Sequence, residues 1–210
     1  PLAARPPVVV VCPEMAGRPL NLPDGAKVVV QQRPLGTGNA VLAALPEIGD
    51  GGVDVLVVWG SQPLLTSDTL ARSAMVYQAL GEAAMLFPTA VTRTPYAPIQ
   101  RDLHGHVVAS RETSAEGAPT RRLGETNVGA FLLRCSTLRE TLPRLHERTW
   151  DEGAKRYRTR SGTLGFPNEM ARALAAEGKA VIALPIARVQ ESLGLRTRAG
   201  YEEVLRLMGG

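Results

Sequence analysis

The sequence predicts an α/β protein: a mostly parallel, Rossmann-like sheet with helices on both faces and a β-hairpin insertion. Three observations carry that reading. Short, almost wholly apolar runs of strand length, such as Val8–Val11, Lys27–Val30 and residues 53–59, recur along the chain, as strands buried on both faces do. Segments of helical length and composition separate them, the alternation expected of a sheet covered on both sides. At 44% apolar content, 210 residues suffice for one domain with a sizeable core, and residues 1–210 are read as one domain.

Taken in order, Val8–Val11 and Lys27–Val30 are strands, and residues 39–45 are a short helix. Residues 53–59 read as a continuous buried strand ended by Gly60 and Pro63. Thr66 or Ser67 then caps a helix over 68–80, with Asp68 at the positive end of its dipole. A strand follows over 83–92, then a hairpin over 99–108 that turns at 102–105. Residues 127–133 read as one strand and 137–148 as a helix. After a basic loop come a helix over 168–176, stopped by Gly178, a strand over 179–184 and a helix over 199–208. In such sheets ligands bind beyond the carboxyl ends of the strands, so the loops at 32–37, 60–65 and 93–99 are the candidates for a site.

The first of these loops is the most informative. Gln31-Gln32-Arg33-Pro34-Leu35-Gly36-Thr37-Gly38-Asn39-Ala40 leads from a strand straight into a helix. Glycines there allow positive φ and close backbone approach, and helix N-terminal amides point at whatever binds. The same glycines equally suit a strand-to-helix turn that needs them for geometry alone.

Composition excludes several classes. No apolar run reaches the ~20 residues of a membrane helix, and residues 1–7 lack the apolar region of a secretory signal. A cytoplasmic protein is expected. Cys12 and Cys135 lie far apart in apolar segments and read as buried free thiols. His104, His106 and His146 form no ligand cluster. The net charge of +4 is modest, and with 4% aromatic residues the basic runs at 155–160 and Arg121-Arg122 read as solvated loops. They argue against a nucleic-acid partner.

Six segments, in this order, resemble the sugar-1-phosphate nucleotidyltransferases, above all the uridyltransferase domain of the bifunctional N-acetylglucosamine-1-phosphate enzymes. Leu35-Gly36-Thr37-Gly38-Asn39-Ala40 resembles the base-binding loop. Val57-Val58-Trp59-Gly60-Ser61-Gln62-Pro63-Leu64-Leu65 is similar to the apolar strand with its Gly-Asp-x-Pro-Leu turn. Thr94-Pro95-Tyr96-Ala97-Pro98-Ile99 leads into a hairpin similar to the sugar-side loop, and Glu112 falls where the family has a sugar-contacting glutamate. Glu125-Thr126-Asn127-Val128-Gly129 matches a Glu-x-Asn-x-Gly strand start, and Glu191-Ser192-Leu193-Gly194-Leu195-Arg196-Thr197-Arg198 a closing Glu-x-x-Gly-x-Asn-x-Arg segment.

The resemblance implies transfer of a nucleoside monophosphate from a nucleoside triphosphate to a sugar-1-phosphate, with release of pyrophosphate. The protein mainly positions reactants and neutralises charge in such a reaction. It implies that Gln31, Gly36 and Thr37 read the base, that Gly60 and Ser61 lie against the nucleotide, and that Tyr96, Ala97, Glu112 and Asn127 surround the sugar. The expected partner is therefore a nucleotide or sugar nucleotide, while the base, the sugar and the oligomeric state stay open.

Three departures stand beside the matches. The family's opening strand and Gly-rich triphosphate loop have no counterpart in the chain as it stands, which is expected to lack them. Ser61 stands where the family has a magnesium-binding aspartate, and Arg196 where it has an asparagine that helps hold the ion. A hydroxyl is a poor magnesium ligand and a guanidinium is none, so no metal is assigned. Arg196 could instead bind phosphate oxygens itself. Two readings of function follow: a working nucleotidyltransferase, or a non-catalytic relative that binds sugar nucleotides or serves as an interaction module. The absence of an Asp-x-Asp motif after the central strand argues against a glycosyltransferase.

Overall fold

The computed structural model describes residues 5–49 and 52–209; residues 1–4, part of the segment read above as lacking a signal sequence, lie outside them. Its strands are β1 (Val8–Val11), β2 (Lys27–Val30), β3 (Asp54–Val58), β4 (Met85–Thr92), β5 (Ile99–Arg101), β6 (Val107–Ser110), β7 (Gly124–Asn127), β8 (Ala130–Arg134), β9 (Trp150–Asp151), β10 (Arg156–Tyr157) and β11 (Val181–Leu184). The α-helices are α1 (Thr37–Ala44), α2 (Ser67–Leu80), α3 (Cys135–Thr149), α4 (Phe166–Ala176) and α5 (Arg198–Met208). Thr66 caps α2 as expected, its hydroxyl accepting from Thr69 N at 3.2 Å.

The main sheet has the order β11-β4-β8-β3, with β7 added on β4. β11 runs parallel to β4, and β8 runs antiparallel to both β4 and β3. So β3, β4 and β11 share a direction, as their apolar runs predicted, and the reversed β8 makes the sheet mixed. Ala-Phe-Leu-Leu-Arg is as apolar as its neighbours because β8 is buried between two strands, and composition does not distinguish strand direction there. β1 and β2 form a separate parallel pair packed on α1.

Side chains alternate cleanly between the two faces of the sheet. Leu86 and Leu132 point to α2, where they meet Ala74 and Tyr77. Met85, Phe87, Phe131 and Leu133 point the other way, into the larger core with Leu138, Leu142, Phe166 and Met170 of α3 and α4. Helices thus cover both faces. Each fully buried Leu or Phe there contributes roughly 2–3 kcal/mol of hydrophobic stabilisation.

Four expectations need correction. First, residues 127–133 are two strands, not one, because the ribbon antiparallel to β4 breaks at Val128-Gly129. Gly129 has φ +75°, and a Cβ there would meet Gln62 Cγ at 2.7 Å, so the backbone bends to clear that side chain. Second, β3 is not buried on both faces: Leu56 is 38% and Val58 46% exposed. It is an edge of the main sheet, and α2 packs over β4 and β8 instead. Third, Cys12 is exposed, since β1 ends one residue before it, while Cys135 is buried as expected. Fourth, the basic run is not all solvated loop: β10, within it, pairs antiparallel with the preceding β9, and Tyr157 is fully buried.

Candidate active site

The residues expected from the resemblance to surround a sugar converge. Asn127, fully buried at the end of β7, is their hub. Its Oδ1 accepts from the Tyr96 hydroxyl at 2.7 Å and from Gly129 N at 3.2 Å, and its Nδ2 donates to Ser110 Oγ at 2.8 Å. Burial pushes the Tyr96 phenol well above its ordinary value, and the nearby Arg196 charge opposes that rise without cancelling it. Tyr96 is thus a neutral donor at any physiological pH. Ala97 is buried, its amide donating to Thr126 Oγ1 at 3.2 Å. Glu112 follows β6; its own amide donates to Glu116 Oε2 at 2.8 Å, and the amide of Thr113 reaches Tyr96 O at 2.8 Å. Glu112 is close enough for its charge to raise the Tyr96 phenol further.

Arg196 lies across this cluster. Its Cζ sits 3.5 Å from the centroid of the Tyr96 ring, a cation–π contact. Gln62 is buried beside it, and the amide orientation that satisfies its neighbours accepts from Arg196 Nη1 at 3.0 Å while donating to Leu193 O at 2.8 Å. Ser61 joins the same corner through its backbone, its carbonyl accepting from Leu195 N at 2.9 Å. Beneath them Glu191, nearly fully buried, accepts from Thr66 N, Thr66 Oγ1 and Thr69 Oγ1 at 2.9–3.2 Å. A carboxylate at the start of α2 suits the helix dipole, and it pins the segment carrying Arg196. Gly60 is exposed, and a Cβ there would meet nothing within 4 Å, so its backbone is open to approach.

The residues expected from the resemblance to read a base are built differently. Gly36 has φ +97°, and a Cβ on it would meet Leu164 O at 2.5 Å; one on Gly38 would meet the Leu164 side chain at 2.7 Å. Packing against Leu164 therefore requires both glycines. Gln31 Nε2 donates to Gly36 O at 3.0 Å and to Asn39 Oδ1 at 2.9 Å. Thr37 Oγ1 accepts from Phe166 N at 2.9 Å, at the start of α4. Among the described contacts, none joins this loop directly to the Asn127 cluster.

Sequence reasoning missed Gln62 and Ser110, and also Asn39, whose amide donates to Tyr157 Oη at 3.0 Å. That hydroxyl also meets His146 Nδ1 at 2.9 Å. A lone aromatic inside the basic run was the available sign of a buried anchor at Tyr157. Two clefts, of about 440 and 660 Å³, are lined by none of the predicted site residues.

A magnesium site of the family's kind does not fit these residues. Magnesium takes oxygen ligands in near-octahedral array, and this corner presents a hydroxyl and a guanidinium. Among the described residues no group of three or more His, Cys, Asp or Glu could hold a metal ion. No helix among them is long and apolar enough to cross a membrane.

No family model matches the chain. Curated relatives do. It is 33% identical over 179 residues to the bifunctional protein GlmU of Aromatoleum aromaticum, covering 85% of this chain and 36% of that protein. Against bifunctional protein GlmU of Sorangium cellulosum the identity is 32% over 190 residues, 87% of this chain and 37% of the relative. For that of Alkalilimnicola ehrlichii it is 32% over 170 residues, 81% and 34%. This chain spans about a third of the length of these relatives. Among solved structures, HddC from Yersinia pseudotuberculosis superposes with a TM-score of 0.57 at 13% identity, covering 96% of this chain and 77% of that one. Its complex with GMP-PN gives 0.53 at 14%, covering 92% and 71%. At such identities the likeness is one of fold.

Proposed function

This chain belongs with the sugar-1-phosphate nucleotidyltransferase-like proteins, and from that premise we propose that it binds a nucleoside triphosphate or sugar nucleotide across the carboxyl ends of its strands. The base lies on the loop of Gln31, Gly36 and Thr37, the phosphates pass Gly60 and Ser61, and the sugar rests against Tyr96, Ala97, Glu112 and Asn127. In turnover, an oxygen of the sugar-1-phosphate attacks the α-phosphorus of the triphosphate. The bond to the β-phosphate breaks and pyrophosphate leaves. The chain's own contribution is to align the two phosphates and offset their charge.

The observation that carries this reading is the hydrogen-bonded hub of Asn127, Tyr96 and Ser110 beside an exposed guanidinium. A buried amide with fixed partners orients neighbouring groups against a polyhydroxylated ligand, and a cation next to it suits the attached phosphate. The guanidinium where the family places a metal ligand supports the second reading, a sugar-nucleotide-binding relative without turnover. Titration calorimetry with UDP-N-acetylglucosamine tests binding, and pyrophosphate release from UTP and N-acetylglucosamine-1-phosphate tests turnover. Binding with pyrophosphate release is expected of the enzyme, and binding alone of the second reading. Absence of binding overturns both.

A further inference from the structure

We propose that Arg196 holds the phosphates of the bound sugar nucleotide in place of a divalent cation, so that binding is independent of metal. The inference rests on the sugar-nucleotide reading above and adds to it the chemistry of the phosphate subsite.

Four observations converge on it. The Arg196 side chain is exposed at its open edge yet fixed in plane, stacked at 3.5 Å on Tyr96 and bonded to Gln62 through Nη1. No carboxylate lies within ion-pairing distance of it among the described residues, in contrast to Arg101, Arg144 and Arg206. Its backbone is held in register: Leu195 N donates to Ser61 O at 2.9 Å, and the buried Glu191 ties the preceding turn to Thr66 and Thr69. Gly194 leaves room for the guanidinium, since a Cβ there would meet Arg196 Cζ and Nη1 at 3.1 Å. Together these make a preorganised cation, without an ion pair among the described residues, beside the backbone of Ser61.

A guanidinium has five N–H donors and no acceptor. With one donor on Gln62, its remaining edge matches two phosphate oxygens in a fork. The same positive charge repels a metal ion from this corner, and Ser61 supplies no carboxylate to offset that repulsion. A metal and this arginine are therefore alternatives, and the sequence has chosen the arginine. The phosphate can come from a diphosphate or from a sugar-1-phosphate, and the ligands of the test separate these.

The experiment is calorimetric titration of the full chain, in EDTA and in magnesium chloride, with UDP-N-acetylglucosamine, N-acetylglucosamine-1-phosphate and uridine. Wild type is expected to bind UDP-N-acetylglucosamine with the same Kd, within about twofold, in both buffers. Arg196→Ala is expected to weaken it by about tenfold or more, the scale of a lost charge-assisted hydrogen bond, with Arg196→Lys between the two. Uridine affinity is expected to be unaffected by either substitution. A matching loss for N-acetylglucosamine-1-phosphate places the sugar phosphate on Arg196; a loss confined to UDP-N-acetylglucosamine places the diphosphate there. Wild-type binding that disappears in EDTA overturns the inference while leaving the sugar-nucleotide reading intact, as does undiminished binding by Arg196→Ala. Failure of wild type to bind any of the three ligands overturns that reading itself. Thermal melts of both variants separate lost affinity from lost fold, and if Arg196→Ala does not fold, an unweakened Arg196→Lys decides against the inference.

Discussion

The loop over residues 31–39 and the cluster around Asn127 spend their polar atoms differently. In the loop, the Gln31 amide closes on Gly36 O and Asn39, the Thr37 hydroxyl takes the first amide of α4, and two glycines make room for Leu164. In the cluster, the buried bonds serve to hold outward groups in place, and Arg196 keeps a charge with no partner carboxylate among the described residues. The segment that looks most like a ligand loop in the sequence is thus largely occupied with its own fold. A position that departs from the family's pattern holds a cation without a carboxylate partner among the described residues.

The largest expected effect tests the hub. Asn127→Ala leaves Tyr96 Oη, Ser110 Oγ and Gly129 N without their partner in a fully buried site. Urea denaturation should show a loss of about 3 kcal/mol, since each unsatisfied buried group costs about 1–3 kcal/mol. A loss no larger than that of a surface substitution would show that the hub is not what holds the site.

Gly36→Ala comes next. A residue other than glycine is strained at φ +97°, and its Cβ meets backbone of Leu164. The expected loss is about 2 kcal/mol, read by the same denaturation, with base affinity falling only because the loop shifts. Thr37→Val is smaller, about 1 kcal/mol for one hydrogen bond to Phe166 N. It also sharpens the comparison: a uridine affinity that drops more than about tenfold, beyond what the lost stability explains, would give the hydroxyl a base-reading role besides its structural one.

The smallest effect concerns Glu116, which ties Glu112 to α4 by accepting from Glu112 N and from Asn168 Nδ2 near the start of that helix. Burial raises its carboxyl above the ordinary 4.5, against the hydrogen bond from Glu112 N, which lowers it. The folded state then keeps the proton to higher pH than the unfolded chain, so stability falls as pH rises from about 4.5 through the raised value and is flat above it. Glu116→Gln should flatten that slope in denaturation midpoints measured across the window. An unchanged slope would assign it to other groups.

The order of the main elements was legible because β3, β4, β8 and β11 are mostly apolar runs and Gly and Pro punctuate the chain, as Gly60 does after β3 and Gly178 after α4. The break at Gly129 was not, because it answers to Gln62, a residue distant in sequence that the fold brings against it. The exposed face of β3 was equally hidden: Val55 to Trp59 is apolar throughout, and only the placing of α2 decides which residues meet solvent. In the site, Tyr96, Asn127 and Arg196 were named from resemblance and do come together. Gln62 and Ser110 were not, since a buried glutamine or serine looks like any loop or strand-end residue until its partners are placed. Asn39 and Tyr157 are 118 residues apart, beyond any local pattern.

The central claim is that one ligand spans both regions. Hydrogen–deuterium exchange of the full chain, with and without saturating UDP-N-acetylglucosamine, tests it most directly. Slowed exchange is predicted in two separate places, residues 31–40 and the segments at 94–97, 124–129 and 193–196. Saturable binding with protection confined elsewhere, such as the arginine-lined cleft between α3 and α4, or no change at saturation, would contradict it.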